Sequence, residues 1–187
     1  ADNAQVPEID ISLRCVNHAD KVNEAEIITG RYPEQVINEA NEDLEILCNF
    51  LQKENVEVLR PNKTECKYYN FCPRDSVFVY GDLHMATPMP VQARRDEWRA
   101  FEHHLTNPVN MHYDHKSSLY NTNCIGNKDV LALTEVEPAF DAANILRAND
   151  DVLYLVSNSG NKLGSVVLQE ALGDKARVHK LENVYSF

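Results

Sequence analysis

From residue 33 to 54 apolar side chains return at steps of three and four: Val36, Ile37, Ala40, Leu44, Leu47, Cys48 and Leu51. That spacing draws one stripe along an α-helix, and Pro33 suits its first turn, where a missing N–H loses no intrahelical bond. "VEVLRP", residues 56–61, then reads as a strand stopped by Pro61. Next the period shortens to two. "SVFVY" (76–80) and "LHMAT" (83–87) read as paired strands joined at Gly81-Asp82, a tight-turn signal. Residues 93–105 return to helical spacing, with Trp98, Phe101 and Leu105 on one side. Residues 106–128 are polar and turn-rich, which predicts a long loop, and long loops in compact domains are often functional. "DVLALTEVEPAFDAANILRAND" (129–150) supplies a strand, a turn and an arm of a second hairpin completed by "DVLYLV" (151–156). "SGNKLGSVVLQEAL" (159–172) is a helix after a polar start, and "ARVHKLENV" (176–184) a closing strand. "PEIDISLRCV" (7–16) alternates and fits a strand near the beginning.

The predicted order is helix, strand, hairpin, helix, strand, hairpin, helix, strand, an α/β chain in which a helix-plus-hairpin unit recurs. No Pro-, Gly- or Ser-rich linker divides it, so 187 residues are expected to form one domain with its own core. The composition, 43% apolar and 25% charged, is that of an ordinary globular protein. A net charge of −11 argues against a nucleic-acid backbone or an anionic membrane as partner and is compatible with a cationic small molecule. Nothing in the sequence is apolar for long enough to span a membrane as a helix. Five cysteines, an odd number at irregular spacing, fit a reduced, cytoplasmic protein, and Cys66 and Cys72 do not have zinc-ligand spacing.

Two aspartates occupy equivalent places: Asp75 at the entrance of the first hairpin and Asp141 ahead of the second. One reading pairs them around a planar guanidinium, whose N–H donors lie along several edges and suit carboxylates. The other makes both of them turn residues bonding their own backbone. His112 and His115 have no evident third ligand and read as solvated rather than metal-binding. His103 and His104, ending a helix, complement its dipole. "SGNKLG" lacks the Gly-Lys-Ser/Thr ending of a phosphate loop and reads as a helix N-cap. Cys72 is three residues before Asp75, but no histidine is placed to serve it, so burial is expected rather than nucleophilic chemistry.

Beyond these features, the chain resembles the glycine amidinotransferase family. "YPEQVINEANEDLEILCNFLQKENVEVLRP" is similar to that family's helix and strand ahead of the first active-site turn. "CPRDSVFVYGDLHMATPMPVQARRDEWRAFEHHL" resembles its Pro-Arg-Asp strand, Ala-Pro-Met segment, arginine-bearing stretch and Glu-Tyr-Arg-Ala-Tyr helix. "TEVEPAFDAANILRANDD" and "NKLGSVVLQEALGDKARVHKL" resemble its Phe-Asp-Ala-Ala-Asp and Asn-Tyr-Leu-Gly segments with their strands. The resemblance covers nearly the whole chain, least in residues 1–30 and 106–128.

It implies a pentein fold, a five-bladed α/β propeller of ββαβ units, here as a partial propeller. It also implies Asp141 as a catalytic carboxylate, Asp75 and Arg94 as substrate-binding residues, and Arg74 as a structural ion-pair partner. The expected substrate is arginine or another guanidino compound, with no cofactor, no metal, no nucleic acid and no membrane. "FDAA" in place of Glu-Gly-Gly favours amidino transfer, to glycine or a similar amine, over guanidine hydrolysis; a catalytically dead pentein that binds a guanidinium ligand or a partner protein is the further alternative. Two departures touch the site: Asn144 stands where the family has a second aspartate, and Lys116 and Ser117 stand where its acceptor loop is acidic. The family's Met-His-Ile-Asp histidine and late cysteine have no counterpart in this sequence. The chain is therefore expected to be a single incomplete domain, lacking part of the first blade and the C-terminal blades, inactive alone, and completed by a separate C-terminal segment or by self-association.

Overall fold

The computed structural model describes residues 5–6, 30–62, 72–91, 94–110, 120–125 and 128–182. A short antiparallel pair, β1 (Gln5–Val6) and β2 (Gly30–Arg31), precedes helix α1 (Glu34–Lys53). The expected strand at 7–16 lies outside the described residues.

Two ββαβ units of the same topology follow. In the first, the four-residue helix α2 (Pro73–Ser76) leads into β3 (Val77–Tyr80) and β4 (Leu83–Ala86), and a 3₁₀ helix (Glu97–His104) crosses to β5 (Val109–Asn110). In the second, a 3₁₀ turn (Ala142–Asn144) leads into β8 (Ile145–Ala148) and β9 (Asp151–Leu155), and α3 (Lys162–Leu172) crosses to β10 (Arg177–Leu181). Each sheet is an antiparallel hairpin extended by one parallel strand, in the orders β3-β4-β5 and β8-β9-β10. Between the units stands the antiparallel hairpin of β6 (Tyr120–Ile125) and β7 (Lys128–Leu133).

A common core joins the units. Phe78 and Met85 of the first pack with Phe140, Ile145, Tyr154 and Leu168 of the second, and the Phe140 and Tyr154 rings meet edge-to-face at 5.7 Å. Polar ties cross the same boundary. Tyr80 Oη donates to the carbonyls of Asn149 and Lys175, and Arg147 donates to the Val79 carbonyl at 2.9 Å. Gly164 lets α3 approach this core: a Cβ there would stand 2.8 Å from Phe140 Cδ1 and 3.0 Å from the Ala139 carbonyl oxygen.

Four expectations change. Residues 56–61 form no strand. His104 Nε2 bonds the Arg60 carbonyl, and Asn62 bonds both His103 and the Ala100 carbonyl, so the two histidines anchor this segment to the 3₁₀ helix. The element around Trp98 is 3₁₀ rather than α. Its backbone bonds, such as Arg99 N–H to the Asp96 carbonyl, span three residues, the spacing of that winding. The predicted loop at 106–128 contains β5 and β6; "YNTNCI" lacks apolar alternation and is a strand through backbone pairing. In α1 only Ile37 of the apolar stripe is buried. Val36 and Leu47 are exposed, and so are Ile46 and Phe50 beside them. No helix among the described residues is long and apolar enough to cross a membrane.

Candidate active site

Each unit carries an aspartate on the turn that enters its first strand. Pro73 opens α2 with its fixed φ, and the single turn closes with Asp75 N–H on the Cys72 carbonyl at 3.2 Å. Thr87, at the end of β4, secures this turn by donating its N–H to the Ser76 carbonyl and its hydroxyl to the Asp75 carbonyl. Asp141 caps the 3₁₀ turn Ala142–Asn144, with Oδ1 accepting from Ala143 N–H at 2.9 Å, and its own N–H bonds the Ser159 carbonyl. Asn144 Nδ2 adds a second donor to Asp141 Oδ1 at 3.1 Å.

Arg94 joins the first aspartate to a buried acid. Its Nη1 bonds Asp75 Oδ2 at 2.9 Å and its Nε bonds Glu97 Oε2 at 2.8 Å, with side-chain exposures of 6% for Arg94, 19% for Asp75 and 2% for Glu97. Paired charges this deep need good geometry and further hydrogen bonds to hold. Glu97 was not among the residues flagged in the sequence, because an acid in a charged stretch reads as solvated; its spacing of three from Arg94 was the available signal. The ion-pair role expected of Arg74 falls to Arg94, and Arg74 instead donates to the Ala143 carbonyl at 3.5 Å, linking the two aspartate turns.

Asp141 senses the charge of the first carboxylate. Burial, and then the Asp75 charge, push Asp141 up to about 6, against the opposing pull of Arg94 and of the backbone N–H groups of Ala143 and Asn144. Each has one oxygen tied down, Asp75 Oδ2 by Arg94 and Asp141 Oδ1 by its own turn. Asp75 Oδ1 and Asp141 Oδ2 have no partner among the described residues.

Cys72 adjoins this cluster. Burial raises its thiol, the charges of Asp75 and Glu97 raise it further, and Arg94 opposes them. A thiol so held stays protonated at neutral pH and is a poor nucleophile. Alkylation followed by mass spectrometry is expected to label Cys72 no faster than an ordinary exposed thiol. A rate about tenfold higher, suppressed by arginine, would contradict this.

"SGNKLG" is the expected cap. Asn161 Oδ1 accepts from Gly164 N–H, and Glu135 accepts from Lys162 and Leu163 N–H, so the chain's own carboxylate fills the end of α3 where an anion would bind. His112, His115, Lys116 and Ser117 lie outside the described residues.

Paired ββαβ units, each presenting a carboxylate on its entry turn, define a pentein-type α/β propeller architecture. The solved inosamine-phosphate amidinotransferase of Streptomyces griseus superposes with a TM-score of 0.87 at 31% identity, over 99% of this chain and 58% of that one. In sequence, inosamine-phosphate amidinotransferase 1 of Streptomyces glaucescens is 32% identical over 210 residues, covering 100% of this chain and 59% of the relative. Mitochondrial glycine amidinotransferase of Gallus gallus is 26% identical, over 96% of this chain and 50% of the relative. No family model matches. In sequence and in fold the chain is similar to amidinotransferases, and it spans somewhat under three-fifths of the length of the curated Streptomyces relatives it matches.

Proposed function

We propose that the chain holds the guanidinium end of arginine, or of a related guanidino compound, for amidino transfer to an amine. The observation that carries this reading is the pair of carboxylates, each with one anchored and one available oxygen. Two such oxygens on neighbouring turns can accept N–H groups from different edges of one planar cation and fix both its position and its tilt. Asp141 is the carboxylate assigned to the reacting centre and Asp75 a binding residue. Arg94 serves substrate binding by holding Asp75 in place.

In amidino transfer a thiolate attacks the guanidinium carbon and an acid protonates the departing amine. The amidino group then rests on sulfur until a second amine displaces it. Carboxylates orient the cation and favour charge in the transition state but do not replace the nucleophile. The 187 residues are therefore assigned binding and orientation, in a cytoplasmic setting without cofactor, and no turnover by themselves. The relatives named for inosamine phosphate are 32–34% identical and those named for glycine 24–26%, so both amines belong in the assay as acceptors.

The test is calorimetric titration with arginine, with its uncharged isostere citrulline, and with ornithine. Arginine alone is expected to bind. Equal binding of citrulline would remove the guanidinium reading. A parallel transfer assay with the chain alone is expected to give no product, and turnover lost in Asp141→Asn would relocate the covalent chemistry to this chain.

A further inference from the structure

We propose that Asn144 is the positioning residue for Asp141: its side-chain amide, locked in one orientation by Ser157 and Ser159, donates to Asp141 Oδ1 and leaves Oδ2 for the ligand. This rests on the guanidinium-clamp reading for its consequence, though not for its geometry.

The orientation of the amide follows from its neighbours. Asn144 is buried, and the atom facing the Ser159 carbonyl at 2.9 Å must be nitrogen, because a carbonyl only accepts. Oδ1 then faces Ser157, whose hydroxyl donates to it at 2.8 Å. That hydroxyl is itself held by the Ser159 N–H at 3.1 Å. With one amide proton on the Ser159 carbonyl, the other is shared between the Ser159 hydroxyl at 2.9 Å and Asp141 Oδ1 at 3.1 Å. The Ser159 carbonyl also accepts Asp141 N–H, so the same oxygen registers both residues. The seat is closed from behind by Gly160, where a Cβ would stand 3.2 Å from Asn144 Cγ and 2.9 Å from the Tyr154 hydroxyl.

The chemistry of position 144 then bears directly on Asp141. A carboxylate there would set an acceptor against the Ser159 carbonyl and a second negative charge against Asp141, and would be accommodated only by taking up a proton. The amide has the same shape and supplies a donor instead. Among the described residues, the other groups facing Asp141 are Asp75 and Arg94 from the first unit and Tyr154 from β9, whose hydroxyl is committed to the Asn161 carbonyl at 2.8 Å. None of these reaches Asp141 Oδ1 with a hydrogen bond, whereas Ala143 N–H and Asn144 Nδ2 do.

The experiment is a carboxyl ¹³C NMR titration of the whole chain, with the Asp141 signal assigned by its loss in Asp141→Asn, alongside arginine binding at pH 7 and pH 9. In Asn144→Asp the Asp141 midpoint is expected to rise by about one to two pH units. Arginine affinity at pH 7 then falls about two- to tenfold and recovers at pH 9, a recovery that structural damage would not give. Ser157→Ala, which unlocks the amide without adding charge, is expected to raise the midpoint by a smaller amount; it decides the matter if Asn144→Asp does not fold. An Asp141 midpoint unchanged in folded Asn144→Asp, or in Ser157→Ala, overturns the proposal. Shifted midpoints with no arginine binding by the unmodified chain would leave the positioning role standing and remove the clamp.

Discussion

Replacing Arg94 by methionine is expected to lower the unfolding free energy by about 3–5 kcal/mol at neutral pH, the usual consequence of removing one member of a buried ion pair. Methionine keeps much of the volume, so the change is mainly electrical. Asp75 Oδ2 and Glu97 Oε2 each lose a charged donor at under 3 Å, and the Glu97 side chain, 2% exposed, has no route to water without moving the 3₁₀ helix. Two carboxylates that shared a cation then face each other with none between them. Protonation relieves them, so the deficit shrinks as pH falls and the orphaned acids take up protons. Urea unfolding at pH 7 and pH 5 measures both effects. The companion triple variant, Arg94→Met with Asp75→Asn and Glu97→Gln, is expected to recover most of the loss, since neutral amides can bond one another and carry no stranded charge. A loss below about 1 kcal/mol for Arg94→Met, the range of exposed pairs, would show that the cluster is open to water.

The same cluster marks where sequence reasoning stops. The family resemblance implied Arg74 as the ion-pair partner, but the partner of Asp75 is nineteen residues away, brought in by the crossing from β4 through the 3₁₀ helix. Apolar alternation located β3 and β4, because period two reports a half-buried strand wherever one face meets a core. It missed β6, whose residues are polar. The α1 stripe identified a helix and its apolar side, but periodicity does not say what covers that side, and Phe50 and Ile46 are more than half exposed. The equivalent placement of Asp75 and Asp141 was legible because each precedes a hairpin in a repeated topology. Glu97 was not, because a buried acid is identified by its partner rather than by its own neighbours in sequence.

Asp141→Asn is expected to make the protein more stable at pH 7 while removing its affinity for arginine. Asp141 is held at about 6, against an ordinary value of 3.8, mainly because burial and the Asp75 charge disfavour its ionised form. A carboxyl raised in this way contributes stability fully at pH values below 3.8, and that contribution is lost as pH rises through about 6. By pH 7 the group is ionised, and keeping it so costs the fold about 3 kcal/mol, from a rise of roughly two pH units. Asparagine presents a carbonyl oxygen to the same Ala143 N–H without the charge, so a gain of about 2–3 kcal/mol is expected at pH 7 and almost none at pH 4. Ligand binding runs the other way. A guanidinium prefers the ionised carboxylate, so arginine affinity in the unmodified chain should rise about tenfold per pH unit up to about 6 and level off above it. In Asp141→Asn that slope should vanish, with affinity at pH 7 down about a hundredfold, the loss of one strong charge-assisted contact. Calorimetry from pH 5 to pH 8, in buffers of different ionisation enthalpy, reads both the slope and the proton released on binding. Equal arginine affinity at pH 5 and pH 7 would separate Asp141 from the guanidinium, and a variant that binds like the unmodified chain would leave the carboxylate as a turn cap alone.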